Sequence, residues 1–303
     1  MKLATVQQNG RQTVVVVDSE RATVQPIAEL LSGMPEDTAR DMVSVISYLA
    51  ERGEVPQMNG AGTPVSDVAL LAPVLNPPRN ILCVGKNYRA HAQEFTRSGF
   101  DSSATGAADA IPEHPIIFTK PATSISGPEA DIPLVAGTDA AVDYEAEIAV
   151  VIGTGGRGIR REDAMNHVFG YTVVNDVTAR DLQAKHKQWL LGKGIDGFCP
   201  MGPWIVTKDE FDLGSARVSC RVNGEMRQDA SVSDLIFDIP TLIETLSRSF
   251  ALLPGDIIAT GTPEGVGAGF NPPRFLKDGD VVECEVTGIG VLRNTVRRQG
   301  QIA

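Results

Sequence analysis

Asp143-Tyr144-Glu145-Ala146-Glu147-Ile148-Ala149-Val150-Val151-Ile152 is the stretch whose reading decides the fold. In an extended strand, side chains alternate faces. Glu145, Glu147, Ala149 and Val151 therefore share one face, and Ala146, Ile148, Val150 and Ile152 line the other. A strand apolar on both faces is covered on both sides. Its acidic end then poses a problem, because two adjacent anions taken out of water lose hydration and repel each other. Either that end projects into water or a bound cation holds the pair.

Outward from this strand the chain divides in two. Residues 1 to about 75 read as a small α+β unit: strands over 2–7 and 12–18 flank the turn pair Asn9-Gly10, and an amphipathic helix covers 37–52. Asn59-Gly60-Ala61-Gly62-Thr63-Pro64 is linker-like, and prolines between 73 and 78 mark the entry to a second unit, 76–303. That unit is dense in strands, at 81–84, 116–119, 146–152, 171–175, 216–222, 225–228, 257–260, 281–286 and 291–296. Helices are expected at 90–96, 162–165, 178–189 and 239–250. The pattern predicts a β-rich α+β fold, a mixed β-roll or sandwich with peripheral helices, and lacks the regular strand–helix alternation of a doubly wound sheet. The small, polar stretch 99–114 reads as a mobile loop.

Composition bounds the function. The chain has 303 residues, 42% of them hydrophobic, and a net charge of −11, which argues against general nucleic-acid or polybasic membrane binding. Cys83, Cys199, Cys220 and Cys284 form no CxxC pair and read as small core residues of a reducing compartment. The N-terminus lacks the apolar segment of a signal peptide, and no apolar run reaches membrane-spanning length. A soluble cytoplasmic protein is the expectation.

Four groups of residues can carry chemistry. Asp176 ends the strand at 171–175 and precedes a helix, so it serves either as a helix cap or, with Glu145 and Glu147, as a ligand. Three carboxylates suit a hard cation, Mg²⁺ first and Mn²⁺ or Ca²⁺ next, with room left for water and a chelating substrate. His91 and Glu94, at i and i+3, share a helix face, where the carboxylate would hold the imidazole as a general base; a surface ion pair is the plainer reading. Lys193 sits among Gly192, Gly194 and Gly197, which allow close backbone approach, although such a segment can equally be a solvated turn. Residues 259–267 offer backbone N–H groups and the Thr262 hydroxyl to a carboxylate or oxyanion.

The ordered set GKNYRAHAQE, FTKPATSISGP, DYEAEIAVVIG, GYTVVNDVTARDLQ, GKGIDGFCPMGPW and GDIIATGTPEGVG, spread over roughly residues 80–290, resembles the fumarylacetoacetate hydrolase family. The resemblance implies a mixed β-sandwich roll, usually dimeric, with one divalent metal per active site. It implies that Glu145, Glu147 and Asp176 hold the metal, that His91 and Glu94 activate water from a lid segment, and that Lys193 assists at the substrate oxyanion. Thr262 matches a threonine near the substrate carboxylate, and Lys120 and Arg180 fall in matching motifs assigned to substrate binding. Arg89, Arg97 and Arg180 are the candidates for a second substrate carboxylate. The stretch 95–114 is longer than in the shortest members and bears on substrate size.

Family substrates carry an α-keto acid or β-dicarbonyl group. Enolate stabilisation by metal and lysine serves C–C hydrolysis of an acylpyruvate-like β-diketo acid, the main expectation here. It serves equally decarboxylation of oxaloacetate, or isomerisation of an unsaturated hydroxy diacid such as 2-hydroxyhepta-2,4-diene-1,7-dioate in aromatic-acid catabolism. A metal-stabilised, non-catalytic domain is a third reading. Where hydrolysis is the reaction, His91→Ala should lower its rate by roughly 10²- to 10⁴-fold, the usual worth of a general base. Near-normal acylpyruvate turnover in that variant would remove the dyad from the chemistry.

Overall fold

A strand with apolar side chains on both faces needs two cores, and Ala146–Ile152 has them. The computed structural model of the chain describes residues 1–8, 10–53, 56–100 and 111–299. Every residue of this strand is buried. Ala146, Ile148, Val150 and Ile152 enter one core with Leu242, Ile243 and Leu246 of the helix Ile239–Ser249 and with Val218, Val282 and Leu292 of a second sheet. Ala149 and Val151 enter the other core, with Val45, Ile46 and Leu49 of the helix Met42–Arg52. The period-2 reading of the sequence thus assigns each side chain to its correct side.

Among the described residues the larger sheet has twelve strands, a second one packed against it has five, and Val142–Asp143 pairs with Thr178–Ala179 in a two-stranded third. Ala146–Ile152 lies inside the larger sheet, antiparallel to Val168–Asn175 on one side and to Ile257–Ala259 on the other. Ile257–Ala259 in turn pairs in parallel with Ile81–Gly85, from which the chain runs into the helix Arg89–Arg97. The five-stranded sheet is built on the hairpins Arg217–Val222 with Glu225–Ser231 and Val281–Val286 with Gly290–Arg298. This is the β-rich α+β architecture that the strand pattern predicts. No helix among the described residues is long and apolar enough to cross a membrane.

Several elements differ from the sequence reading. The expected helix at 178–189 is instead a short bridge, Thr178–Ala179, followed by the helices Arg180–His186 and Leu190–Lys193. The break falls at Lys187, whose φ of +61° interrupts the helical path. The helix expected over 37–52 starts at Met42, where the Asp41 side chain caps it by accepting the Ser44 N–H at 2.9 Å. A single 3₁₀ turn, Ala164–His167, takes the place of the helix at 162–165. The strand Cys199–Thr207 was hidden by Pro200, Gly202 and Pro203, which read as punctuation. It pairs with Lys2–Gln8, so the larger sheet runs across residue 75 without a break. The turn residue Asn9 and positions 101–110 of the expected mobile loop lie outside the described residues.

Gly170 sets the closeness of the strands Val168–Asn175 and Cys199–Thr207. A Cβ there would stand 2.3 Å from the Val206 carbonyl oxygen, beside a register shift between Tyr171 and Val173. Overpacking of this kind costs about 1–3 kcal/mol. Gly170→Ala should therefore lower the urea midpoint without changing the slope of the transition; an unchanged midpoint would show that the strand pair relaxes freely.

Candidate active site

Strand pairing creates the acidic cluster. Ala146 lies opposite Asn175, which brings Glu145, just before one strand, beside Asp176, just after the other. The Asp176 N–H donates to the Glu145 carbonyl oxygen at 2.8 Å, and the Glu145 N–H to the Asn175 side-chain oxygen at 3.0 Å. One carboxylate oxygen each from Glu145, Glu147 and Asp176 lies within 4.8 Å of the other two, and all three residues are buried. The acidic end of the strand does not project into water. Donor oxygens about 2.0–2.6 Å from a shared hard cation stand up to about 5 Å apart, so the spacing suits one.

Three cations face these carboxylates. Lys193 donates to Glu145 Oε2 at 3.0 Å, Asp176 Oδ2 at 2.7 Å and Thr178 Oγ1 at 2.9 Å. Lys120 donates to Asp176 Oδ1 at 2.6 Å and to the Val177 carbonyl at 3.0 Å. Arg180 donates to Asp143 Oδ2 at 2.9 Å and approaches Glu145 Oε1 at 2.7 Å. Burial by itself would raise the Glu145 carboxyl, but Lys193 and Arg180 pull it down to about 2. Burial works against the Lys193 charge as well, and Asp176 and Glu145 more than compensate, raising its pKa.

Glu147 is the exception. It accepts the Gly261 N–H at 2.7 Å, and no cationic side chain among the described residues forms an ion pair with it. Burial first, then the neighbouring Asp176 and Glu145 charges, push its carboxyl well above the usual value of 4.5. Lys120, Arg180 and Lys193 thus pair with Asp143, Glu145 and Asp176, while Glu147 is held by a backbone donor. A buried carboxylate in that position, beside two others, fits a divalent cation with oxygen ligands.

The Gly-rich segment 260–269 has a use that its sequence does not show. Its backbone N–H groups serve the protein's own carboxylates. Gly261 serves Glu147, Gly265 bonds both Glu94 oxygens at 3.1 Å, and Gly267 and Ala268 bond Asp143 at 2.6 and 3.0 Å. Gly265, at φ +95°, allows no side chain, because a Cβ would stand 1.9 Å from the Arg227 carbonyl oxygen. The Thr262 hydroxyl donates to the Ala146 carbonyl at 2.9 Å and accepts from Gln228 Nε2 at 2.8 Å.

His91 and Glu94 project from the helix Arg89–Arg97. His91 is buried, its ring stacks on Phe95 at 5.9 Å, and its Nδ1 lies 3.6 Å from Glu94 Oε2. That is too long for a hydrogen bond, and Nδ1 has no other partner among the described residues. A small cleft joins His91 to Lys193, Glu145, Arg180 and Thr262. Arg89 and Arg97 are exposed and do not line it. Lys86 and Gln183 line it, and neither stood out in the sequence. Asp143, next to the acidic pair, orients Arg180; its only sequence signal was its place in the same acidic strand.

The fumarylacetoacetate (FAA) hydrolase C-terminal family matches residues 80–297, a range that contains every residue of this cluster. The chain belongs to the fumarylacetoacetate hydrolase family. Among its family relatives is the oxaloacetate tautomerase of Bacillus subtilis, 49% identical over 77% of this chain and 74% of that protein. The solved fumarylacetoacetate hydrolase of Exiguobacterium antarcticum is 40% identical and superposes with a TM-score of 0.82, covering 99% of this chain and all of that one. Maleylpyruvate hydrolase of a Sphingobium species, solved with manganese(II) and pyruvate, is 29% identical with a TM-score of 0.73 over 99% of this chain and all of the other.

The family site suggests a test that needs no substrate. Mn²⁺ at about 100 times its dissociation constant should stabilise the protein by about 2.7 kcal/mol, read as a rise in Tm. Glu147→Gln should abolish that rise. For a carboxyl raised in the folded state, the stability present below its unfolded value is lost as pH rises through the folded one. Metal-free wild type should therefore fall progressively behind metal-free Glu147→Gln as pH rises above the ordinary 4.5. A Mn²⁺-dependent rise that survives in Glu147→Gln would place the metal elsewhere.

Proposed function

We propose that this protein is a divalent-metal-dependent isomerase that interconverts the keto and enol forms of a small α-keto diacid of the oxaloacetate type. The observation that carries this reading is one buried cavity wall. It joins the Lys193 ammonium to the carboxylate cluster, and His91, with Glu94 beside its Nδ1, stands on the same wall. Glu145, Glu147 and Asp176 would hold the cation, Mg²⁺ or Mn²⁺. When bound, the cation would supply Lewis-acid stabilisation to the oxygen on which enolate charge develops.

The side chains account for the rest. Lys193, fixed by Glu145, Asp176 and Thr178, presents a preorganised positive charge to the substrate's C2 oxygen. His91 removes a proton from C3, the electron pair moves onto the C2 oxygen, and the imidazolium returns the proton to that oxygen to give the enol. The reverse path gives the ketone, with no net gain or loss of atoms. Glu94, anchored by the Gly265 N–H, steadies the imidazolium as it forms. Phe95, Phe118 and Trp189 on the wall keep bulk water away from this exchange. Identity to an oxaloacetate tautomerase favours this reaction over C–C hydrolysis.

Hydrolysis of an acylpyruvate is the second reading. It is supported by the same His91–Glu94 pair, which would act on water, and by similarity to a maleylpyruvate hydrolase. Decarboxylation would need no base at all. Freshly dissolved oxaloacetate enol and a short acylpyruvate, each with Mg²⁺ and with EDTA controls, separate the three. Metal-dependent acceleration of enol absorbance decay, with the carbon skeleton intact by NMR, is the expected result. Pyruvate and free acid from the acylpyruvate would establish the hydrolase instead, and CO₂ release matching enol loss would establish the decarboxylase.

A further inference from the structure

The ladder between Ala146–Ile152 and Ile257–Ala259 ends before it reaches Ala146. Its registered pairs run from Val151 with Ile257 to Ala149 with Ala259, and the Thr260 N–H and hydroxyl then both donate to the Ile148 carbonyl, at 3.2 and 2.9 Å. At Ala146 two side chains stand in for a strand neighbour. The Ala146 N–H donates to Gln228 Oε1 at 3.0 Å, and its carbonyl accepts the Thr262 hydroxyl at 2.9 Å. Buried backbone groups need such partners, because leaving one unsatisfied costs more than a made bond gains. Gln228 closes the arrangement, since its Nε2 donates to Thr262 Oγ1 and to the Pro263 carbonyl, each at 2.8 Å. An amide turned the other way would set its NH₂ against the Ala146 N–H and its oxygen against the Pro263 carbonyl, so the network admits one orientation.

That orientation decides what Thr262 can offer the cleft, which it lines together with His91 and Lys193. A hydroxyl has one proton and two lone pairs. Here the proton is held by the Ala146 carbonyl and one lone pair by Gln228, and Thr262 and Gln228 are both buried. We infer that Thr262 meets the ligand as a hydrogen-bond acceptor, so that this wall takes a hydroxyl, the C2–OH of the enol, and not a carboxylate. A carboxylate has no proton to give, and taking the Thr262 proton would orphan the Ala146 carbonyl. The inference rests on the function proposed above and deepens it. The enol carries a donor on C2 and the keto form does not, so Thr262 distinguishes two forms made of the same atoms. The three Lys193 donors are directed to Glu145, Asp176 and Thr178, so Lys193 supplies charge there and Thr262 the hydrogen bond. Gln228 lies off the cleft wall and is a positioning residue that acts through Thr262.

The test measures two small ligands on the Mn²⁺-loaded protein by calorimetry. Oxalate offers only carboxylate oxygens, whereas glycolate offers a hydroxyl beside one carboxylate. Thr262→Val should weaken glycolate roughly 3- to 10-fold, the worth of one neutral hydrogen bond, and leave oxalate unchanged. Thr262→Ser, which keeps the hydroxyl, should bind glycolate as wild type does. Weakening of oxalate alone, equal weakening of both, or no change in either in folded Thr262→Val overturns the inference. A second measurement needs no variant: wild type should bind glycolate at least roughly threefold tighter than methoxyacetate, which keeps the oxygen and lacks its proton. Equal binding overturns the inference even if Thr262→Val fails to fold. Oxaloacetate enol decay that wild type does not accelerate refutes the proposed function itself, whereas acceleration with oxalate and glycolate weakened alike in Thr262→Val refutes the role of Thr262 alone.

Discussion

Burial of like charges at one strand end is the constraint on which the site depends. Asp143, Glu145, Glu147 and Asp176 are all removed from water, and the hydration they lose must be replaced by fixed donors and opposite charge. Lys193 and Lys120 hold Asp176 from two sides, while Arg180 ties Asp143 to Glu145. The three cations come from three separate segments, so each must be in place before the acidic pair is tolerable. Glu147, held by the Gly261 N–H beside two other carboxylates, sits where a divalent ion fits.

Backbone dipoles complete the compensation. The segment 260–269 gives N–H groups to Glu147, Glu94 and Asp143, so one loop sets a carboxylate of the cation cluster, the partner of His91 and the partner of Arg180. Gly261 and Gly265 adopt positive φ, and Gly267 and Gly269 meet close neighbours. At Gly269 a Cβ would stand 2.2 Å from the Glu94 carboxyl group. The helix bearing His91 is in this way tied to the same loop that steadies the cation cluster. Movement of one would be felt by the other.

The two-core arrangement keeps this polar cluster dry. The helix Met42–Arg52 covers one face of the central strand, and the five-stranded sheet with the helix Ile239–Ser249 covers the other. The N-terminal strands extend the larger sheet through the pair Lys2–Gln8 and Cys199–Thr207. Residues that carry none of the chemistry therefore supply part of the low-dielectric surroundings in which ion pairs are strengthened.

Period-2 alternation in 146–152, the acidic pair at its head and the helical spacing of His91 and Glu94 were all legible, because each is a local pattern with a direct geometric meaning. Joined to the order of six motifs, they were enough for family membership and the β-rich fold. Cys199–Thr207 was not legible, since proline and glycine in a strand mimic a loop until a neighbouring strand accepts them. The break at Lys187 and the carboxylate-binding use of 260–269 were equally hidden. Which residues can bear charge, coordinate a cation or alternate along a strand is written in the chain itself. Which cations pair with which carboxylates is decided only when segments as far apart as Glu94 and Gly265, separated by 171 residues, come together, because desolvation and pairing depend on distances that no local pattern encodes.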